Sequence, residues 1–336
     1  MTIPLRLSKK INEGQSVYDI LKSVFAISII MIAVGAMLVN IPRVNRDLTG
    51  IGPGLWSVIL VTAVFLVWNR YPDKENNFFT VSGLRIAGLA LLVFLVFKFR
   101  SGTWENNGSL ITGYWELPGL SGWGFLAASL IWLLFRNSIS VTLIAWSFLL
   151  ALNIFSSLGL NSFFDPARQY FGVVTDGFIP FLFVSGMLAG ILVKNISPDE
   201  KNKLIAILVI SGLILASAGL LLFFRFIPPS GFYGEPSWAL IAAGISTLLF
   251  TLLFLLLDLK STGPGSRFAE KTGLSFFTGY ILSFLLYGIA SMAGADLHSF
   301  QNTLSPALNI AGSALFSLIV TGITLFLTRV GVRLKF

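Results

Sequence analysis

The sequence holds one histidine, His298, in the stretch GADLHSFQN. Imidazole titrates near neutral pH, which suits it to general-base work. No Ser-His-Asp or comparable spacing surrounds this one, however, and a loop histidine without a catalytic role is the commoner case. Asp176, in GVVTDGFIPF, stands just ahead of an apolar run, where a carboxylate can meet a substrate hydroxyl or amine. Asp before a helix is also an ordinary N-cap. Glu235, ahead of PSWALI, has the same two readings, and Arg168 in DPARQY is either a partner for one of these acids or a solvated loop charge. Trp123, Trp238 and neighbouring Phe and Tyr residues lie where runs begin or end. Indole and phenol rings favour the headgroup zone of a bilayer, and the alternative use of such faces is stacking on a sugar. Lys201, Lys203 and Arg267 offer partners to the phosphates of a nucleotide-like cofactor, although membrane topology explains those charges equally well. GPGS at 263–266 lacks the GK[ST] ending of a phosphate loop. Without cysteine there is no thiolate nucleophile, no disulfide and no cysteine zinc site, and no metal centre is expected.

The elements that must position these residues are apolar. Of 336 residues, 55% are hydrophobic and 11% charged, less than half the charged share of an ordinary soluble domain, about 25%. Ten runs are long enough to cross a hydrocarbon core as helices. They cover about 21–40, 53–69, 82–99, 119–135, 139–158, 174–193, 204–224, 237–257, 274–293 and 307–327. The second run is short, and GIGPG just ahead of it reads as a turn. Polar punctuators such as RYPDKENN and KNISPDEKNK separate the runs, and loops this short predict that helices adjacent in sequence are adjacent in space. The expected fold is an all-α, polytopic membrane helix bundle. A basic N-terminal segment (1–20) precedes one transmembrane domain (21–328), and a basic tail (329–336) closes it. The opening MTIPLRLSKKINEG lacks the pattern of a secretory signal.

The net charge of +8 sits between the runs rather than on one polar face, which argues for topology and against nucleic acid. With the N-terminus inside, seventeen of the 23 Lys and Arg fall on inner segments and six on outer loops. Positive charge is retained on the cytoplasmic side, so both termini are expected there, with membrane lipid as the surroundings. Intramembrane charge is nearly absent: Lys22, Arg85, Lys98 and Asp258 all lie near run ends, where long side chains snorkel. That disfavours a pump built on buried carboxylates, whereas a facilitator lined by aromatics and hydroxyls needs none. Asn153, in LLALNIF, reads as interhelical glue, and GMLAG at 186–190 as a site of close helix approach within the chain. NGS at 107–109 matches a glycosylation sequon on an outer loop.

Several stretches in order, IPLRLSKKINEG, MLVNIP, LWSVILVTAVFLVWNRYP, LSGWGFLAASLIWLLF and EPSWALIAAGISTLLFTLLFLLLDLK, resemble the bacterial relatives of heparan-alpha-glucosaminide N-acetyltransferase, a family of polytopic acyltransferases. The resemblance implies transfer of an acetyl group from cytoplasmic acetyl-CoA to a sugar or glycan across a bacterial cytoplasmic membrane. In that family the IPL…KK…G element follows two further helices, which carry an LDxLRG opening and an outer histidine. This sequence looks like a member shortened at its front, and no residue here matches that histidine; His298 does not inherit its role. The alternatives are a non-catalytic or truncated relative that binds a glycan or lipid, and a facilitative transporter.

Overall fold

The computed structural model describes residues 2–71, 78–103, 105–111, 116–225, 234–259, 264–295, 297 and 305–334. The fold is all-α. In chain order the helices are α1 (Thr2–Asn12), α2 (Val17–Val39), α3 (Arg46–Thr49), α4 (Pro53–Trp68), α5 (Phe78–Lys98), α6 (Leu117–Phe135) and α7 (Ile139–Ser157). They continue with α8 (Asp165–Thr175), α9 (Phe178–Asn195), α10 (Lys201–Arg225), α11 (Pro236–Leu253), α12 (Pro264–Leu274), α13 (Phe276–Met292) and α14 (Pro306–Arg329). Eight of these are long and apolar enough to cross a membrane, while α4 and α13 are apolar but shorter. Each of the ten expected runs coincides with one of these ten helices, and the chain is a multi-pass membrane helix bundle. Four further helices, α1, α3, α8 and α12, occupy stretches that read as loop or terminal segment. The chain gathers into two compact units: Met1–Gly35 with Trp115–Thr262, and Ala36–Tyr114 with Gly263–Phe336.

In the first unit α9 packs against α1, α6, α7 and α11. Its Phe181, Val184, Met187 and Ile191, spaced three and four residues apart, form one fully buried stripe. They belong to one core cluster with Trp132 and Ala128 of α6, Ala239 and Ala243 of α11, and Ile20 and Val24 of α2. Apolar side chains gain little by leaving lipid for a protein interior, so close van der Waals fit must hold such helices together. The most extensive pairing joins α10 to α11. A methyl added at Gly244 would lie 2.5 Å from the Ala216 nitrogen, and one at Gly219 would lie 2.7 Å from the Ile241 nitrogen. At the start of the chain α1 is amphipathic: Ile3 and Leu7 are buried in the core of the unit, while Arg6 and Lys9 stay exposed. Lys10 donates to Ser23 Oγ at 3.2 Å and Lys194 donates to Ser8 Oγ, so the basic N-terminal segment is fastened to α2 and α9. Between α6 and α7, Arg136 has φ 54°, the one positive φ outside glycine among the described residues. Its guanidinium lies over the Trp132 ring, 5.5 Å from the centroid, and the Trp132 indole donates to Asn137 Oδ1 at 3.1 Å.

In the second unit α4, the shortest of the ten, is the most enclosed: Trp56, Leu60, Val61, Ala63 and Val64 are each 0% exposed. A helix apolar on every side belongs in the interior, where it need not match the thickness of the bilayer. It packs on α5 and on α13, its partner across more than two hundred residues of sequence. Gly54 and Gly288 bring α4 and α13 together, since a methyl on Gly54 would come within 2.8 Å of the Gly288 carbonyl oxygen. Ser57 Oγ donates to the Phe284 carbonyl at 2.8 Å in the same seam. The expectation that neighbours in sequence are neighbours in space holds for α4 with α5 and α10 with α11, and long-range pairs that it did not address, α4 with α13 and α1 with α9, stand beside them. Facing glycines make the first of these pairs, and buried Ile3 and Leu7 with the Lys194–Ser8 bond make the second. Beyond α4, Asn69 Oδ1 accepts from the Arg333 backbone at 2.8 Å, and the Leu334 nitrogen donates to Thr278 Oγ1 at 3.1 Å, so the basic C-terminal segment is pinned down. Burial pushes the nearby Tyr71 phenol above its ordinary 10.0, with the Arg85 guanidinium partly opposing the shift.

Two outcomes follow. Gly244→Val and Gly54→Val each force a helix pair apart, and overpacking of this kind costs about 1–3 kcal/mol or more; the midpoint of thermal unfolding in detergent falls for both, whereas Gly83→Ala, at a helical position with open space around it, does not lower it. Because the folded chain favours neutral Tyr71, stability declines as pH rises through the unfolded phenol value towards the higher folded one. Tyr71→Phe removes that part of the alkaline decline, as read from unfolding midpoints between pH 9 and about 11.

Candidate functional site

Most of the acids and rings singled out in the sequence converge at one end of the first unit. α8 begins at Asp165 with Pro166 in its first turn and stops at Asp176, where Gly177 turns the chain into α9 with φ 73°. A methyl on Gly177 would lie 2.6 Å from the Leu149 carbonyl oxygen, so the corner between α8 and α9 rests directly on α7. The N-cap of α9 is therefore Gly177 and Asp176 is the C-cap of α8. This corrects the N-cap reading of Asp176 and frees its carboxylate for side-chain partners.

Those partners are specific. Asp176 Oδ1 accepts from Ser156 Oγ at 2.8 Å and lies 3.3 Å from Arg168 Nε. Arg168 also pairs through Nη1 with Asp165 at 2.9 Å, and through Nη2 donates to Asn161 Oδ1 at 2.6 Å. Arg168 is thus the partner of Asp176, as one of its two readings proposed, and the cluster of one guanidinium and two carboxylates keeps a net negative charge. Asp176 and Arg168 are each a little over a third exposed (36% and 38%). Among the described residues both contacts of the carboxylate use Oδ1, which leaves Oδ2 to accept from a ligand.

Behind this cluster, Asn153 of α7 is 1% exposed. Its amide donates to the Asp176 carbonyl at 2.9 Å and to the Gly234 carbonyl at 2.6 Å, joining the α8–α9 corner to the residues that open α11. The glue role expected of Asn153 is what the geometry shows. Its Oδ1 is buried with no hydrogen-bond partner among the described residues. Glu235 follows Gly234, is 5% exposed, and occupies the backbone N-cap position of α11 without a side-chain cap bond. Trp123 of α6 meets Phe171 of α8 edge to face with centroids 5.7 Å apart, and Trp238 on the first turn of α11 is 43% exposed. The arrangement presents acceptors, a guanidinium and aromatic edges at one end of a helix bundle. It has the equipment to orient hydroxyls.

The other candidates lie elsewhere. Lys201 and Lys203 stand exposed in the first turn of α10, at the opposite end of the same unit, and Lys203 pairs with Glu200 at 3.0 Å. Arg6, Lys9, Lys10, Lys22, Arg136 and Lys194 share that end of the unit, leaving, among the described residues, Arg168 and Arg225 at the end with the cluster. Arg267 belongs to α12 of the second unit and its side chain is outside the described set, while His298 lies outside the described residues altogether. Among the described residues no group of three or more His, Cys, Asp or Glu could hold a metal. Ser156, Asn161 and Asp165 were not singled out in the sequence. The signal available was the Asp-Pro opening of α8 with Arg168 one turn on, a helix start that reads as loop when only long apolar runs are sought.

In a double-mutant cycle of Arg168→Gln with Asp176→Asn, the coupling is at most about 1 kcal/mol, as for other partly exposed pairs. Asn153→Leu, which removes two ties between loops, lowers thermal stability more than either single change, by about 1–3 kcal/mol. Compared with protein-family models, with curated proteins and with solved structures, the chain matches none.

Proposed function

We propose that this chain is an acyltransferase-like membrane protein that holds a sugar or glycan at the end of the first unit marked by Asp176, Arg168 and Glu235. The observation that carries the reading is the Asp176 cluster, where a carboxylate with one open oxygen lies beside a guanidinium, an amide and exposed rings. Carboxylates and amides accept from sugar hydroxyls, and aromatic faces cover the apolar face of the ring. The gathering of cations at the opposite end supports an orientation with that end, and both termini, in the cytoplasm of a bacterium. Lys201 and Lys203 at that end are the residues of the first unit proposed to meet the phosphates of acetyl-CoA. The transfer itself rests on the sequence resemblance.

A second reading, glycan binding without catalysis, is favoured by one specific feature. Acyl transfer needs a group to take the proton of the acceptor, and the cluster contains no imidazole among the described residues, while the Ser156 hydroxyl and Arg168 already engage Asp176. The experiment uses purified protein in vesicles with labelled acetyl-CoA and a panel of amino sugars and oligosaccharides, reading binding and transfer separately. The proposal predicts saturable sugar binding that falls at least tenfold in Asp176→Asn and Glu235→Gln. Transfer on top of binding establishes the enzyme, and binding without transfer establishes the non-catalytic reading. Absence of binding, or binding indifferent to both substitutions, overturns the site.

A further inference from the structure

The second unit contains a cavity of about 370 Å³ between α13 and α14 that the proposed sugar site does not use. It starts at Thr272 and Ser275, where α12 meets α13, and reaches Tyr287 and Phe316. At 1.5 Å per residue that is a descent of roughly 16 Å along α13. Here Thr272, Ser275, Ser283, Ser317, Thr321 and Thr324 line it with hydroxyls, no lining residue is charged, and Tyr280, Tyr287 and Phe316 supply ring faces.

The hydroxyls are not interchangeable. Ser283, Ser317 and Thr324 donate to carbonyls of their own helices, those of Tyr280, Ser313 and Val320, at 2.7, 2.8 and 2.7 Å. Their protons are committed and their remaining lone pairs only accept. Thr272 Oγ1 differs, being buried with no hydrogen-bond partner among the described residues; it can donate and accept, and a buried hydroxyl left unsatisfied costs about 1–3 kcal/mol. A molecule that satisfies this wall must bring several donors and at least one acceptor, with an apolar face for the rings. Organic ammonium ions bring donors and favour aromatic rings, but next to the Thr272 and Ser275 end stand Lys271 and Arg333, whose guanidinium donates to the Leu274 carbonyl at 2.8 Å, against Glu270 as the one acid of that stretch among the described residues. That balance repels cations. The volume is near the lower limit for ligand pockets, about 300 Å³.

We infer that the cavity between α13 and α14 is a binding site for a small uncharged polyol of monosaccharide size, held by the acceptor lone pairs of Ser283, Ser317 and Thr324, by Thr272, and by the flanking rings. This site is independent of the Asp176 cluster. The test is calorimetric titration of full-length protein, in a detergent without a sugar headgroup, with myo-inositol, D-glucose and choline chloride. Saturable binding of a polyol and none of choline is expected. Ser317→Ala combined with Thr324→Ala removes two acceptors and weakens binding about tenfold. Gly279→Leu fills the cavity and abolishes myo-inositol binding, with size-exclusion profile and thermal midpoint confirming a folded chain, whereas Glu13→Gln, at an exposed position of the first unit, leaves the titration unchanged. Preference for choline, no polyol binding by the unaltered protein, or polyol binding unmoved by both cavity variants would each overturn the inference.

Discussion

Hydrocarbon offers no hydrogen bonds, so every backbone group at membrane depth must find its partner inside the protein. The helices meet that demand for themselves, and the difficulty shifts to the places where they stop. Asparagine resolves it repeatedly. Asn40 gives its amide to the Ala36 and Ile111 carbonyls while its oxygen takes the Ile111 nitrogen. Asn45 caps α3 through the Asp47 and Leu48 nitrogens and reaches the Gly102 carbonyl. Asn69 holds the Arg333 backbone, and Asn153 holds two carbonyls on separate loops. An amide carries donors and acceptors on one short arm without charge, which suits it to clasping loop backbone where a carboxylate or ammonium would be costly to bury. The candidate site exists because one of these clasps, Asn153, fixes the corner that presents Asp176.

The two units use different means for the same end. In the first, α9 offers long apolar side chains to several neighbours at once, and glycines bring α10 and α11 to near backbone contact. In the second, α4 serves as a short inner post, joined to α13 through facing glycines and one serine. Both arrangements follow from the weakness of apolar burial as a driving force in lipid. Helices there stay together when their surfaces fit, and the fit depends on residues with almost no side chain.

Ten apolar helices could be read in the sequence because each is a continuous run, the strongest signal that a chain of this kind gives. The amphipathic α1, α8 and α12 could not be read by the same rule, since they mix Lys, Arg, Asp and Pro with few apolar positions. That omission hid half of the candidate site: Asp176 drew attention by standing before a greasy stretch, while Ser156, Asn161 and Asp165 are meaningful only once α8 folds back over the end of α7. Long-range pairings such as α4 with α13 were equally hidden, because a single glycine on each helix marks them and thirty-two glycines are present. The hydroxyls of the cavity in the second unit lie on α12, α13 and α14, and their common face emerges only when those helices are laid side by side.

The turn at Arg136 has a consequence for how the chain is built. Only three residues separate α6 from α7, and one of them adopts a left-handed backbone that a non-glycine residue enters at a cost of about 1–3 kcal/mol. The contact of its guanidinium with Trp132 and the bond from that indole to Asn137 offset the cost using residues no more than five positions apart. Every part of this knot is therefore translated within moments of the others. The two arms can enter the bilayer together as a closed hairpin, with its reversal already set before α8 and α9 have been made.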